Sequence, residues 1–364
     1  MSTEVITKEQ LTRLLHNWYQ SILKQQFVES KQLKEDIDYK INNAEQDHEL
    51  LLYYSLLNFR YKVLTDWIEI KEDSFDQVES FKIPSEGFLA YYYHFFKAFH
   101  FTLITKYKEA KEQYEKAEKL LKYVQNPFEQ AEFNYRLGYF YYQSYQPILG
   151  IDYIKKAKEE FAKHEDYQIN AALCENMFAL CCIDLKQFEQ AEESFNTALD
   201  VFKKLNSEKA VLMVRSNLGW LYGSQNLSAL AIRHISEVVE NSPRHYKAIF
   251  TMAEENYKLG RIELANEFIK SGLNLCNELK NKEFQHRFII LQELNRHSHT
   301  TELEKAVLEG ISYFESEGLW ECVKEYTEKL ALKFYEEENN SKASQYFYTS
   351  IMASKKYREK GALK

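Results

Sequence analysis

Small residues recur along this chain at Ala110, Gly150, Ala191, Ala231, Ala265, Ala306 and Ala343, with successive spacings of 40, 41, 40, 34, 41 and 37 residues. Four positions after most of them stands a bulky side chain: Tyr114, Ile154, Phe195, Ile235, Ile269 and Phe347. Ala306 is followed by Gly310 and is the poorest match. The register is clearest between Leu185 and Val239, where Ala191, Phe195 and Ala198 are followed by Leu218, Gly219 and Tyr222, then by Ala231, Ile235 and Val238. A small residue lets two helices approach, and the bulky residue one turn on fills the space beside the contact. Repetition at slightly more than about 34 residues is the mark of tetratricopeptide hairpins whose helices run a turn or two beyond the minimum. Such a hairpin buries its apolar face only by stacking on its neighbours. Seven of them predict an all-α, right-handed superhelix with a concave inner surface.

The rest of the chain agrees with that class. Ten Gly and four Pro in 364 residues are too few for the turns of an all-β or α/β protein. Turn signals fall between the expected helices at Asn126-Pro127, Gln146-Pro147, Asn241-Ser242-Pro243, Leu259-Gly260 and Asn339-Asn340. Ahead of the repeats, Leu11, Leu14, Leu15, Trp18, Tyr19 and Ile22 form a helical stripe, and Leu33 to Ile41 form a weaker one. Leu50 to Ile70 reads as a third helix, apolar on nearly every side at its start. Lys71 to Gly87 is polar and carries Pro84 and Gly87, the composition of a hinge. The expected organisation is a three-helix bundle over 1–70, a linker or hinge helix over 71–96, and a repeat domain over 97–364.

Several functions are disfavoured by the same sequence. A net charge of -8 opposes a nucleic-acid groove and favours cationic partners. The longest apolar run, Leu50 to Leu57, contains a serine and is far shorter than a membrane span. Met1 to Gln10 is polar and has no signal-peptide pattern. Five Cys without CxxC spacing read as reduced, buried thiols, so the expected compartment is cytoplasmic. Cys181-Cys182 read as packing residues, and His297 and His299 lack a third ligand nearby in sequence. No phosphate loop or Ser/His/Asp arrangement is present, and neither a cofactor nor a metal is expected.

The first helix of each hairpin should face the hollow. Helical periodicity then places Glu132, Tyr135, Tyr139 and Tyr142 there, followed by Asn176 and Asp184 from the next hairpin. Met213, Ser216, Asn217 and Trp220 come next, then Phe250, Glu254 and Tyr257, and finally Glu325, Glu328 and Tyr335. An acidic, aromatic surface with two Asn able to bond an extended backbone suits a short peptide carrying a cationic side chain.

The third helix, Leu50-Leu51-Leu52-Tyr53-Tyr54-Ser55-Leu56-Leu57-Asn58-Phe59-Arg60, resembles the corresponding helix of the Rap family, the peptide-controlled response-regulator aspartate phosphatases and related quorum-sensing regulators. Cys181 to Phe188 and Ser216 to Gly219 also resemble family segments. The resemblance spans essentially the whole chain. It implies that Asp184 and Asn217 anchor a secreted, re-imported Phr-type pentapeptide; the repeat register places Asn176, Trp220, Phe250, Glu254, Tyr257, Tyr142 and Glu325 around it. It also implies that the bundle acts on a DNA-binding transcriptional regulator or a response regulator, as in members that control transfer genes of mobile elements. In phosphatase members a Gln-Asp pair precedes this helix, the Gln five residues before the first Tyr. Here His48-Glu49 stand in that place, with Gln46 two residues earlier, and Phe-Arg-His has become Phe59-Arg60-Tyr61. His48 thus stands at the family's Gln position, a departure that assigns no firm catalytic residue and leans against an enzyme. Two readings remain, an antagonist of a transcriptional regulator and an aspartyl-phosphate phosphatase. Exposed ends of solenoids also pair, which makes a homodimer a further expectation.

Overall fold

The computed structural model describes residues 7–41, 47–296 and 300–361. Gln46, His297 and His299 lie outside them. The described residues form helices and turns, without a strand among them. Three helices come first: α1 (Lys8–Leu23), α2 (Phe27–Ile41) and α3 (His48–Asp66). A single helical turn, α4 (Asp76–Glu79), follows. Fourteen helices then alternate along the chain. They are α5 (Phe88–Leu103), α6 (Tyr107–Leu120), α7 (Pro127–Gln143), α8 (Pro147–Phe161), α9 (Gln168–Asp184), α10 (Phe188–Lys204) and α11 (Glu208–Ser224). The remainder are α12 (Ser228–Asn241), α13 (Tyr246–Lys258), α14 (Ile262–Leu279), α15 (Lys282–Asn295), α16 (Thr300–Ser316), α17 (Trp320–Glu336) and α18 (Asn340–Gly361).

Each recurring small residue sits near the start of the second helix of a pair, from Ala110 in α6 to Ala343 in α18. Ala110, Ala191, Ala231 and Ala265 are completely covered. The reason is visible at Gly219, where an added Cβ would come within 2.7 Å of the Ile235 Cδ1 atom. Gly138 and Gly150 face one another in the same way, each blocked by the other's carbonyl at 3.1 Å. The turns inside the pairs have a common solution. Thr105, Tyr145, Lys186, Asn226, Gly260 and Glu338 all adopt a left-handed backbone with φ between 58° and 69°. That conformation ends the first helix and satisfies its last carbonyls, and only Gly260 reaches it without strain.

By packing, the chain separates into two compact units: Met1–Leu137 with Lys156–Ala171, and Gly138–Lys155 with Ala172–Lys364. In the first, α1 begins with a reciprocal Thr7–Gln10 cap and buries Leu11, Leu15, Trp18, Tyr19 and Ile22. The Asp47 carboxylate caps α3 by accepting from the Leu50 N–H at 3.1 Å, and it holds Lys8 at 2.7 Å. Within the segment expected to be a hinge, Phe75 and Val78 are buried. The Phe75 ring stacks on His100 at 5.6 Å and meets the Phe59 ring edge-on at 5.0 Å, which anchors the segment to α3 and α5. No long linker helix forms there, because Pro84 and a left-handed Gly87 (φ 89°) interrupt it before α5.

One groove assignment is corrected in this unit. Glu132 does not line a hollow: it is buried and paired with the buried Arg60 of α3. The Tyr19 hydroxyl donates to the other Glu132 oxygen at 3.4 Å, while Tyr92 and Gln20 donate to Glu129 at 2.6 and 3.1 Å. Helix periodicity gives the side of α7 on which Glu132 stands. It does not tell that α1 and α3 cover that side.

Candidate functional site

In the second unit the first helices of successive pairs pack side by side, α11 against α13 and α13 against α15. Their shared wall carries most of the residues expected in the groove. Asn217 on α11 donates from its side-chain amide to the Asn176 oxygen on α9 at 2.7 Å. Two helices thereby present one carboxamide pair, with Asn176 buried and Asn217 half-buried. Asp184 lies two turns further along α9, at its last position. Burial pushes its carboxyl up to about 8, the Glu321 carboxylate adds to the rise, and the Arg287 guanidinium opposes it. Burial and the Asp184 charge likewise raise the phenol of Tyr142.

The other acids of this wall have cations. Lys329 donates to Glu325 at 2.7 Å and to Glu254 at 3.2 Å, bringing α13 and α17 together. Burial would raise Glu325, but the Lys329 charge beside it wins and holds it below the usual carboxylate range. Arg287 on α15 is buried, donates to Glu283 at 3.1 Å and to the Tyr145 hydroxyl, and reaches the Cys322 sulfur at 3.1 Å. Glu321 engages Lys324 through one oxygen at 2.8 Å, while its second oxygen is buried without a hydrogen-bond partner. Asp184 has no ion pair among the described residues. Of the acids gathered here, it alone is left without a counter-charge in contact.

Three expected residues take other roles or only partly face the site. Phe250 is buried edge-on against Phe284 and Phe288 at 5.7 and 5.1 Å, so it joins α13 to α15 rather than facing a ligand. Trp220 is half-buried, and its indole N–H is enclosed without an acceptor. Tyr257 is also half-buried. Periodicity missed the cations, Arg287 and Lys329, although each stands four residues after a glutamate on one helix, Glu283 and Glu325. That spacing is the signal that finds them.

In the first unit, His48 and Glu49 are exposed in the opening turn of α3, beside the Asp47–Lys8 pair. The outward side of α2 carries two large exposed apolar residues, Val28 (73% exposed) and Tyr39 (78%). Among the described residues no cluster of His, Cys, Asp and Glu could hold a metal, and no helix is long and apolar enough to cross a membrane.

Comparison with known proteins fits this geometry. Residues 5–66 match the family described as response regulator aspartate phosphatase H, N terminal. The chain is 26% identical over 371 residues to response regulator aspartate phosphatase I of Bacillus subtilis (strain 168), covering 99% of this chain and 94% of the relative. It is 26% identical over 365 residues to regulatory protein RapF of the same organism, covering 95% and 94%. A solved Rap protein complexed with competence and sporulation factor shares the fold, with a TM-score of 0.82 at 23% identity over 97% of this chain and 99% of that one. The match over the bundle, the full-length relatives and the shared helical-repeat fold agree: this chain is similar to the Rap family over nearly its whole length.

Proposed function

We propose that this protein is a quorum-sensing regulator whose repeat domain, 97–364, binds a short Phr-type signalling peptide. Its N-terminal bundle, 1–70, antagonises a DNA-binding transcriptional regulator. The observation that carries the peptide reading is Asp184: a half-buried carboxyl raised to about 8, beside a second carboxylate and without a cation of its own. A guanidinium or ammonium entering there would supply the missing charge, and the pair would gain from the low local dielectric. The Asn176–Asn217 pair offers an extended backbone both donors and acceptors, and Tyr142 and Trp220 offer aromatic surface around it. Tyr139, Glu254, Tyr257 and Glu325 belong to the surrounding wall. A solved Rap conjugation gene regulator in complex with the Phr* peptide supports a peptide as the ligand class.

For the bundle, exposed Val28 and Tyr39 on α2 are the anchors of the target contact, since large exposed aromatics and aliphatics are where interface energy concentrates. Peptide and target are coupled because each favours a different conformation of the protein, and the peptide shifts the balance only by its differential affinity for the two. The test uses Asp184→Ala and Asn217→Ala. Both variants should retain capture of the target regulator and lose its release by peptide. Variants that still respond normally would overturn the site.

A second reading rests on His48, which is exposed where phosphatase members carry Gln, and on relatives named as aspartate phosphatases. Here the protein would dephosphorylate a response regulator, with the imidazole orienting the attacking water. Loss of radiolabelled phosphate from candidate regulators, with His48→Ala compared with wild type, separates the two. Activity abolished by His48→Ala would select the enzyme.

A further inference from the structure

One turn reaches across the wall of the candidate site. In most of the turns inside the helix pairs the left-handed residue is exposed, as at Lys186, Asn226, Gly260 and Glu338. Between α7 and α8 it is Tyr145 (φ 58°), a large side chain that is half-buried. A bulky residue is strained at positive φ and persists where its surroundings hold it.

What holds Tyr145 comes from helices far along the chain. The Arg287 guanidinium of α15 donates to the Tyr145 hydroxyl and, at 3.1 Å, to the Cys322 sulfur of α17. Two residues before Tyr145, the Gln143 carboxamide oxygen accepts from the Lys247 ammonium of α13 at 3.1 Å. The turn itself is firm: the Gln146 N–H donates to the Tyr141 carbonyl at 2.7 Å, and Pro147 opens α8. An extended chain can pass between the end of α7 and helices α13 and α15 only by breaking these bonds.

The turn stands close to the anchoring acid, since the Asp184 charge acts on the Tyr145 phenol as it does on that of Tyr142. An extended peptide advances about 3.3 Å per residue, so one whose cation meets Asp184 soon arrives at the turn. There the charge has the opposite sign. Lys247 and Arg287 bring two cations and share the Glu283 carboxylate, which Arg287 contacts at 3.1 Å. That balance favours the carboxylate end of a peptide over its ammonium end.

Resting on the peptide reading above, we propose that this turn is an end stop. The Tyr145 ring, clasped by Arg287, closes the groove beyond the peptide's carboxyl end. The site then takes a peptide whose chain finishes at the stop and rejects one extended there. Tyr145→Gly removes the ring and suits a left-handed backbone, so it opens the stop without straining the turn. Tyr145→Phe keeps the ring and loses only the hydroxyl.

The experiment is calorimetry of the full chain at about pH 8.5, where the Asp184 carboxyl is ionised in the larger part of the molecules. Three pools are titrated: single-arginine pentapeptides, the same peptides with two glycines added at the carboxyl end, and the same with two at the amino end. Wild type should bind the carboxyl-extended pool at least about tenfold more weakly than the pentapeptides, and the amino-extended pool within about threefold of them. Tyr145→Gly should bring the carboxyl-extended pool level with the pentapeptides, and Tyr145→Phe should keep the discrimination. Wild type that treats the two extensions alike would overturn the stop. So would a folded Tyr145→Gly chain that still rejects the carboxyl extension. If no pool binds wild type, the peptide reading itself falls, and the stop with it.

Discussion

Asp184 concentrates the electrostatic argument in one side chain. Its carboxyl rises from an ordinary value of 3.8 to about 8, chiefly through burial. The folded protein therefore holds this proton more tightly than the unfolded chain does. That contribution to stability is complete below about pH 4 and is lost as pH rises through about 8. Asp184→Asn should stabilise the empty protein above pH 8, on the order of 1–3 kcal/mol, and flatten its Tm against pH between about pH 4 and 8. A cationic peptide needs the carboxylate, so the dependence on pH reverses for binding. Wild-type affinity for a free pentapeptide containing one arginine should rise about 20-fold between about pH 6.5 and pH 8.5, measured calorimetrically in two buffers to count released protons. Arg60 and Glu132 make a second residue-scale case. Arg60→Ala leaves the buried Glu132 carboxylate only the longer Arg136 and Tyr19 contacts at 3.4 Å and should cost about 1–3 kcal/mol by urea denaturation, whereas Arg60→Met with Glu132→Leu should recover most of it. The sequence register put Asn176, Asn217 and Asp184 on one wall because a helix period does so for any chain. It could not announce that Arg60 meets Glu132, since 72 residues separate them.

Among the elements, the second helices were the most legible. Ala110, Ala191, Ala231 and Ala265 mark them because close helix approach tolerates nothing larger, and each proves to be completely buried. Gly272 of α14 obeys the same rule outside the recurring position, since a Cβ there would run into the Phe288 ring of α15. Gly272→Ala should destabilise the protein by about 1–3 kcal/mol, because a packed aromatic ring must move. The pair-closing turns were not legible. Their left-handed residue is Thr, Tyr, Lys, Asn or Glu as well as Gly, so the glycine signal that ends a helix is missing. Lys186 carries that strain at φ 58°, and Lys186→Gly should gain up to about 1 kcal/mol in chemical denaturation. The segment ahead of α5 was only half legible. Its polarity and Pro84 suggested a hinge, but Phe75 and Val78, two apolar residues among charges, pin its first half to the bundle.

For the molecule as a whole, the proposed mechanism assigns target capture to the bundle, 1–70, and peptide capture to the repeat domain, 97–364. Tyr39→Ala on exposed α2 should weaken target binding at least about tenfold and leave peptide affinity unchanged. Asp184→Asn should do the reverse. The central claim is that Asp184 takes the positive charge of a peptide. It is tested most directly by titrating a pool of single-arginine pentapeptides, and the same pool with citrulline in place of arginine, into wild type and Asp184→Asn by calorimetry at about pH 8.5. Binding should be strong only for the arginine pool with wild type, and at least about 100-fold weaker when either charge is removed. Equal binding of the two pools, or of either pool to the two proteins, would contradict it.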